Sequence, residues 1–122
     1  MIQILSVGTG GFVGAVLRFL MGKLPLKEMT IFPVNTLLIN VIGAFVIGIV
    51  VAAGDRYATA DSNLVLFLKV GLCGGFTTFS TFSLESFALI QAGHYLVFVA
   101  TVSSVVLCLL AVWLGYMAAV AF

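Results

Sequence analysis

Three stretches of this chain contain no aspartate, glutamate, lysine or arginine: Met1–Leu17, Met29–Gly54 and Ser86–Phe122. A water-soluble domain carries about 25% charged residues, whereas here 63% of residues are hydrophobic and only 7% charged. The solvent for most of the surface must therefore be lipid. In lipid every backbone polar group has to be satisfied internally, and long unbroken apolar runs satisfy it as helices. The expected fold class is an all-α membrane protein.

About 20 residues at 1.5 Å rise cross a hydrocarbon core of about 30 Å. Four segments meet that length, at about residues 2–21, 34–53, 64–90 and 95–121. They form a single transmembrane domain, because the connections are too short to hold another. Pro33 suits the N-terminus of the second helix, and Gln91–His94 is a tight turn. An N-terminus without a basic leader region leads us to expect that the first span is retained.

Four spans place both termini on one side. Arg56 and Lys69 then oppose Lys23, Lys27 and Arg18, so the positive-inside rule barely selects an orientation. Either the translocation machinery still selects one, or copies insert both ways and pair as an antiparallel, dual-topology homodimer. Small residues add to the case for a partner. Gly10 and Gly14 form a ridge running to Arg18, and Thr36, Asn40, Ala44 and Gly48 form another. Such ridges let backbones approach closely. Four helices enclose little space, so a pore is expected to need a second chain.

Most of the catalytic vocabulary is missing. There is one histidine, His94, and four acidic residues in all. Cys73 and Cys108 lie far apart in apolar segments, without metal-ligand spacing, and read as small packing residues. No enzyme is expected, and a net charge of +1 gives no hint of nucleic-acid binding.

The third apolar segment contains an anomaly. Residues 71–83 pair two glycines, Gly74 and Gly75, with two threonines, Thr77 and Thr78, among phenylalanines and serines. Glycine costs a helix interior about 1 kcal/mol relative to alanine, so the third helix is expected to break near its middle. The carbonyls freed near Gly74 and Thr77 can coordinate a cation, as broken transporter helices do.

The polar residues within the spans each admit two readings. Asn40, with Thr36 one turn before it, either bonds a neighbouring helix or donates its NH2 to a passing anion. Phe79 and Phe82 share a face, and Phe76 extends the row only if the helix continues. They either pack, or turn their positive ring edges toward an anion. Ser80, Thr81 and Ser83 alternate with the rings and can replace lost water without trapping the ion. Glu85 is the one acid well inside a span, and so serves a pore vestibule or gate, or a structural hydrogen bond. Arg18 either snorkels to the interface or concentrates anions at a pore mouth.

Three motifs together resemble the CrcB/Fluc fluoride channels of bacteria. They are Gly10-Gly11-x-x-Gly14-Ala15-x-x-Arg18-Phe19, Asn35-Thr36-Leu37-x-x-Asn40-x-x-Gly43, and the run from Gly71 through Ser83 to Glu85. The resemblance covers essentially the whole chain. It implies a dual-topology antiparallel homodimer with two fluoride pores in the bacterial cytoplasmic membrane. It also implies a central structural sodium ion on the backbone carbonyls of Gly74 and Thr77 from both chains. By the same resemblance Asn40 is the pore amide, and Phe79 and Phe82 face fluoride. Thr36, Ser80 and Thr81 form a polar track, Glu85 is the acid beyond the rings, Arg18 is the vestibule arginine, and Ser104 is a pore-side serine. Cys108 stands where a further hydroxyl is expected, and Asn35 where glycine is more usual, the latter without expected consequence.

The function so implied is passive export of fluoride, lowering its toxicity inside the cell. A four-span proton-coupled antiporter is the alternative, but it needs a buried acid early in the chain, and Met1–Leu17 has none. A noncatalytic assembly subunit would leave the polar groups around the break unexplained.

Overall fold

A computed structural model describes all residues, Met1–Phe122, and is helical throughout. Helix α1 spans Ile2–Gly22, and a short 3-10 turn at Pro25–Glu28 leads to α2, Val34–Arg56. The next stretch starts as α3, Asn63–Leu66, capped by the Ser62 hydroxyl accepting from the Val65 N–H. It widens into a π-helix at Phe67–Cys73 and narrows again into α4, Gly74–Phe76. Helix α5 covers Phe79–Gln91 and α6 covers Tyr95–Ala121. Four stretches are long and apolar enough to cross a membrane: Ile2–Glu28, Val34–Arg56, Asn63–Gln91 and Tyr95–Ala121.

Only 22 of 122 residues are buried, while Phe12, Phe19, Leu96, Leu109 and Trp113 are among many large apolar side chains left exposed. Such a surface is incompatible with water on this scale. It is the surface expected of helices whose outer faces meet lipid.

The helices associate as two pairs. Helix α1 lies along residues 63–76, and α2 lies along α6. Both seams are backbone against backbone. A Cβ at Gly75 would stand 2.6 Å from the Gly11 carbonyl oxygen, and one at Gly71 would stand 2.7 Å from that of Val7. Across the other seam a Cβ at Gly48 would overlap the Val112 carbonyl, and one at Gly115 that of Phe45. The Gly10–Gly14 ridge therefore differs from the expectation that it awaits a second chain. Its groove is filled within this chain, by the Phe67 and Leu72 carbonyls and the Phe76 N–H.

The glycines in the third stretch also behave differently from their propensity. Gly74 is helical, with φ −64° and ψ −38°, because α1 packs on this segment and close packing outweighs a cost of about 1 kcal/mol per glycine. Extended backbone is confined to Thr77 (ψ 157°) and Thr78 (φ −148°, ψ 118°). Gly93 alone among glycines has a positive φ, 79°. It ends α5 in a Schellman motif, with its N–H on the Ile90 carbonyl and the His94 N–H on that of Leu89. The tight turn sends α6 back along α2 and α5.

Candidate functional site

The two extended threonines separate α4 from α5, and the chain finds new partners for the N–H groups that the break frees. In a continuous helix the Thr78 N–H would bond the Gly74 carbonyl, and the Thr81 N–H that of Thr77. Instead the Thr78 N–H donates to Asn40 Oδ1 at 2.8 Å, and the Thr81 N–H donates to Thr78 Oγ1 at 3.2 Å. Thr78 is thereby the N-cap of α5, a role worth about 1 kcal/mol. Asn40 completes the clasp by donating Nδ2 to the Thr78 carbonyl at 3.0 Å. The Gly74 and Thr77 carbonyls are released from their helical donors, and a Cβ at Gly74 would meet only the Lys69 carbonyl oxygen, at 4.0 Å.

Beside the break lies a cavity of about 350 Å³. Asn40 and Thr36 reach it from α2, Gly74 and Thr77 from the break, Phe79 and Phe82 from α5, and Ser104 and Cys108 from α6. No charged residue lines it. The Phe79 and Phe82 centroids are 5.7 Å apart with the rings tilted 36°, and Phe79 is 76% exposed. Phe76 does not extend this row. The break turns it away, and it is buried against Gly43. Ser104 Oγ is itself spent on the Thr101 carbonyl at 2.6 Å, leaving its lone pairs rather than its proton for the cavity.

A second, polar cavity of about 220 Å³ adjoins the first. Arg18, Lys27, Asn35, Thr81 and Glu85 line it, and Thr36 and Thr78 line both. Thr36 Oγ1 donates to Glu85 Oε1 at 2.9 Å, and Thr78 Oγ1 donates to Thr81 Oγ1 at 3.1 Å. The Thr81 proton is thus free to donate onward. Glu85 Oε2 and Asn35 Oδ1 are buried without partners. Ser80 lines neither cavity; it is exposed, with Oγ 3.4 Å from Thr78 Oγ1. Ser83 bonds back to the Phe79 carbonyl at 2.9 Å.

Apart from Ser80, the site residues singled out by the sequence thus fall into two groups. Asn40, Phe79, Phe82, Gly74, Thr77 and Ser104 meet at the apolar cavity, while Arg18, Glu85 and Thr81 meet at the polar one, joined through Thr36. Asn35 and Lys27 were not foreseen at a site. A buried amide in the first turn of α2, beside Thr36, was the available signal for Asn35. No group of His, Cys, Asp or Glu side chains stands together that could hold a metal ion, so main-chain oxygens are the candidate cation ligands.

The profile of the family described as CrcB-like protein, Camphor Resistance (CrcB), matches residues 5–116. The protein named Fluoride-specific ion channel FluC of Ruminiclostridium cellulolyticum is 46% identical over 121 residues, covering 98% of this chain and 93% of the relative. Its namesake in Geobacter sulfurreducens is 43% identical over 121 residues, covering 98% of each. Fluoride-specific ion channel FluC 3 of Methanosarcina barkeri is 39% identical over 116 residues, covering 94% of this chain and 88% of the relative.

Proposed function

The chain belongs to the CrcB-like family and is a multi-pass membrane protein, and from that premise we propose that it is a passive fluoride-selective channel. The observation that carries the reading is the meeting of Asn40, Phe79, Phe82 and Ser104 at one uncharged cavity beside a backbone break.

Fluoride holds its water tightly, so a pore has to replace that water without binding the ion too well. The polar cavity does the first part. Arg18 and Lys27 raise the local anion concentration, and the Thr81 hydroxyl is free to donate. The anion then passes Thr36 and Thr78, the shared wall, into the apolar cavity. There the Asn40 amide has two N–H donors and spends one on Thr78, so the second is available to the ion. The ring edges of Phe79 and Phe82 supply weak positive potential and no fixed charge. An ion stabilised this weakly leaves again.

The driving force is external. Hydrogen fluoride crosses lipid as a neutral acid and ionises inside, and the membrane potential, about 2.3 kcal/mol per charge per 100 mV, expels the anion. Two antiparallel copies in the bacterial cytoplasmic membrane would give two such paths and cover the exposed Phe79 face. Gly74 and Thr77, whose carbonyls have lost their helical donors, would hold a structural sodium ion between the copies. Such an ion supplies positive charge to the centre of the assembly.

The test is fluoride efflux from liposomes containing the purified protein, followed with a fluoride electrode while valinomycin clears the counter-charge. Fast fluoride release with chloride retained is expected. No electrogenic fluoride flux overturns the assignment. Crosslinking that traps only parallel pairs overturns the antiparallel arrangement.

A further inference from the structure

Asn35 is 8% exposed, and its amide is oriented unambiguously. Nδ2 lies 3.1 Å from the Met21 carbonyl oxygen, 3.2 Å from that of Gly22 and 2.9 Å from that of Leu24. Three acceptors demand the NH2 end, so Oδ1 must face the other way. Met21 and Gly22 end α1, where carbonyls lack a full set of helical donors, and Leu24 is the N-cap of the 3-10 turn that follows; the Met21 carbonyl also accepts from the Leu24 N–H. One side chain at the start of α2 thus holds the exit of α1, which carries Arg18, and the root of the 3-10 turn, which carries Lys27. Its Oδ1 is buried without a partner, and it lines the same polar cavity as both cations. Neither cation is within ion-pair distance of the remaining charged group there, Glu85, whose Oε1 is taken by Thr36.

We infer that Asn35 is a positioning residue of the anion entrance. It clamps Arg18 and Lys27 at the polar cavity through the backbone that bears them, and offers Oδ1 as an uncharged acceptor for their N–H groups. A neutral acceptor matters here. A carboxylate in its place would lose the NH2 that grips the three carbonyls and cancel the charge that draws an anion in. The inference rests on the channel reading above.

Two readouts test it, one independent of transport. In liposomes at fixed, sub-saturating fluoride, wild-type flux should fall about threefold or more as an impermeant salt is raised from about 0.01 to about 0.3 M, because the entrance field is screened. Asn35→Ala should remove most of that salt dependence while fluoride is still preferred over chloride. Asn35→Asp, nearly isosteric, should conduct less than Asn35→Ala at low salt. Arg18→Gln is the control that should flatten the salt response by itself. Independently of flux, an amine-reactive reagent should label Lys27 at least about threefold faster in both Asn35 variants, once the turn is unclamped. Wild-type salt dependence retained in Asn35→Ala, or unchanged Lys27 labelling in Asn35→Asp, overturns the inference. Absent fluoride flux in the wild type sinks the channel reading instead, and the labelling arm still decides the clamp.

Discussion

The two sides of the Thr77–Thr78 break are built on opposite principles. Residues 63–76 present glycine to α1, so that backbone meets backbone at Gly71 and Gly75. Helix α5 presents side chains instead: Phe79, Leu84 and Phe87 are exposed, and Thr81 and Glu85 turn toward a polar cavity. The first half is an anchor with no room for a methyl group. The second is a display, tied down at its start by its Thr78 cap and the Asn40 clasp. The lesson is that a chain with little core divides rigidity and function between halves of one span. Packing fixes where the break lies, and the segment beyond it carries the chemistry.

That division can be broken experimentally. Gly14→Val should do the most damage, because even a Cβ at Gly14 overlaps the Leu72 carbonyl and lies 2.8 Å from the Phe76 nitrogen. A loss of roughly 3 kcal/mol or more is expected, as overpacking against backbone cannot relax by rotamer change. Reversible unfolding in mixed micelles measures it. A Gly14→Val protein as stable as wild type would mean that the anchor is not one.

Asn40→Asp comes next. It deletes the donor to the Thr78 carbonyl and sets a charged acceptor against it, an expected loss of about 2–3 kcal/mol. Flux should fall about 100-fold in the liposome assay. Flux unchanged in Asn40→Asp would remove Asn40 from the path.

Phe79→Ile sharpens the contrast from the display side. With Phe79 at 76% exposure in the single chain, the fold should lose less than about 1 kcal/mol. Fluoride flux should still drop by about tenfold, since the positive ring edge is gone. The informative failure is the reverse pattern, stability lost and flux kept. Smallest of all is Ser83→Ala. Its hydroxyl only returns to the Phe79 carbonyl one turn back, so stability should stay within about 0.5 kcal/mol and flux within twofold.

Much of this molecule is legible in its residues, for identifiable reasons. Apolar length is a local sum, so the four helices and their tight Gln91–His94 turn follow from reading along the chain. The hydroxyl and phenylalanine run around Thr77 likewise announces a site, because a helix interior spends such residues reluctantly. Partner choice is not local in this way. Gly10 and Gly14 read as a face awaiting a second chain, yet the Phe67–Phe76 segment fills it. Asn40 admitted both a pore donor and a structural bond, and its geometry shows an amide with one N–H spent on Thr78 and one to spare. Asn35 looked inconsequential until three carbonyls from another helix end converged on it.

Sequence alone thus determined the solvent, the number of spans and the chemical identity of the groups at the break. Those depend on composition within about 20 residues, the thickness of a bilayer in helical rise. Tertiary structure decided which backbone carbonyls lose their donors, which side chains take those donors, and how the polar groups divide between two cavities. These outcomes depend on where a hydrogen-bond donor finds an acceptor, and in a nearly coreless membrane fold that is set by how closely distant backbones can approach.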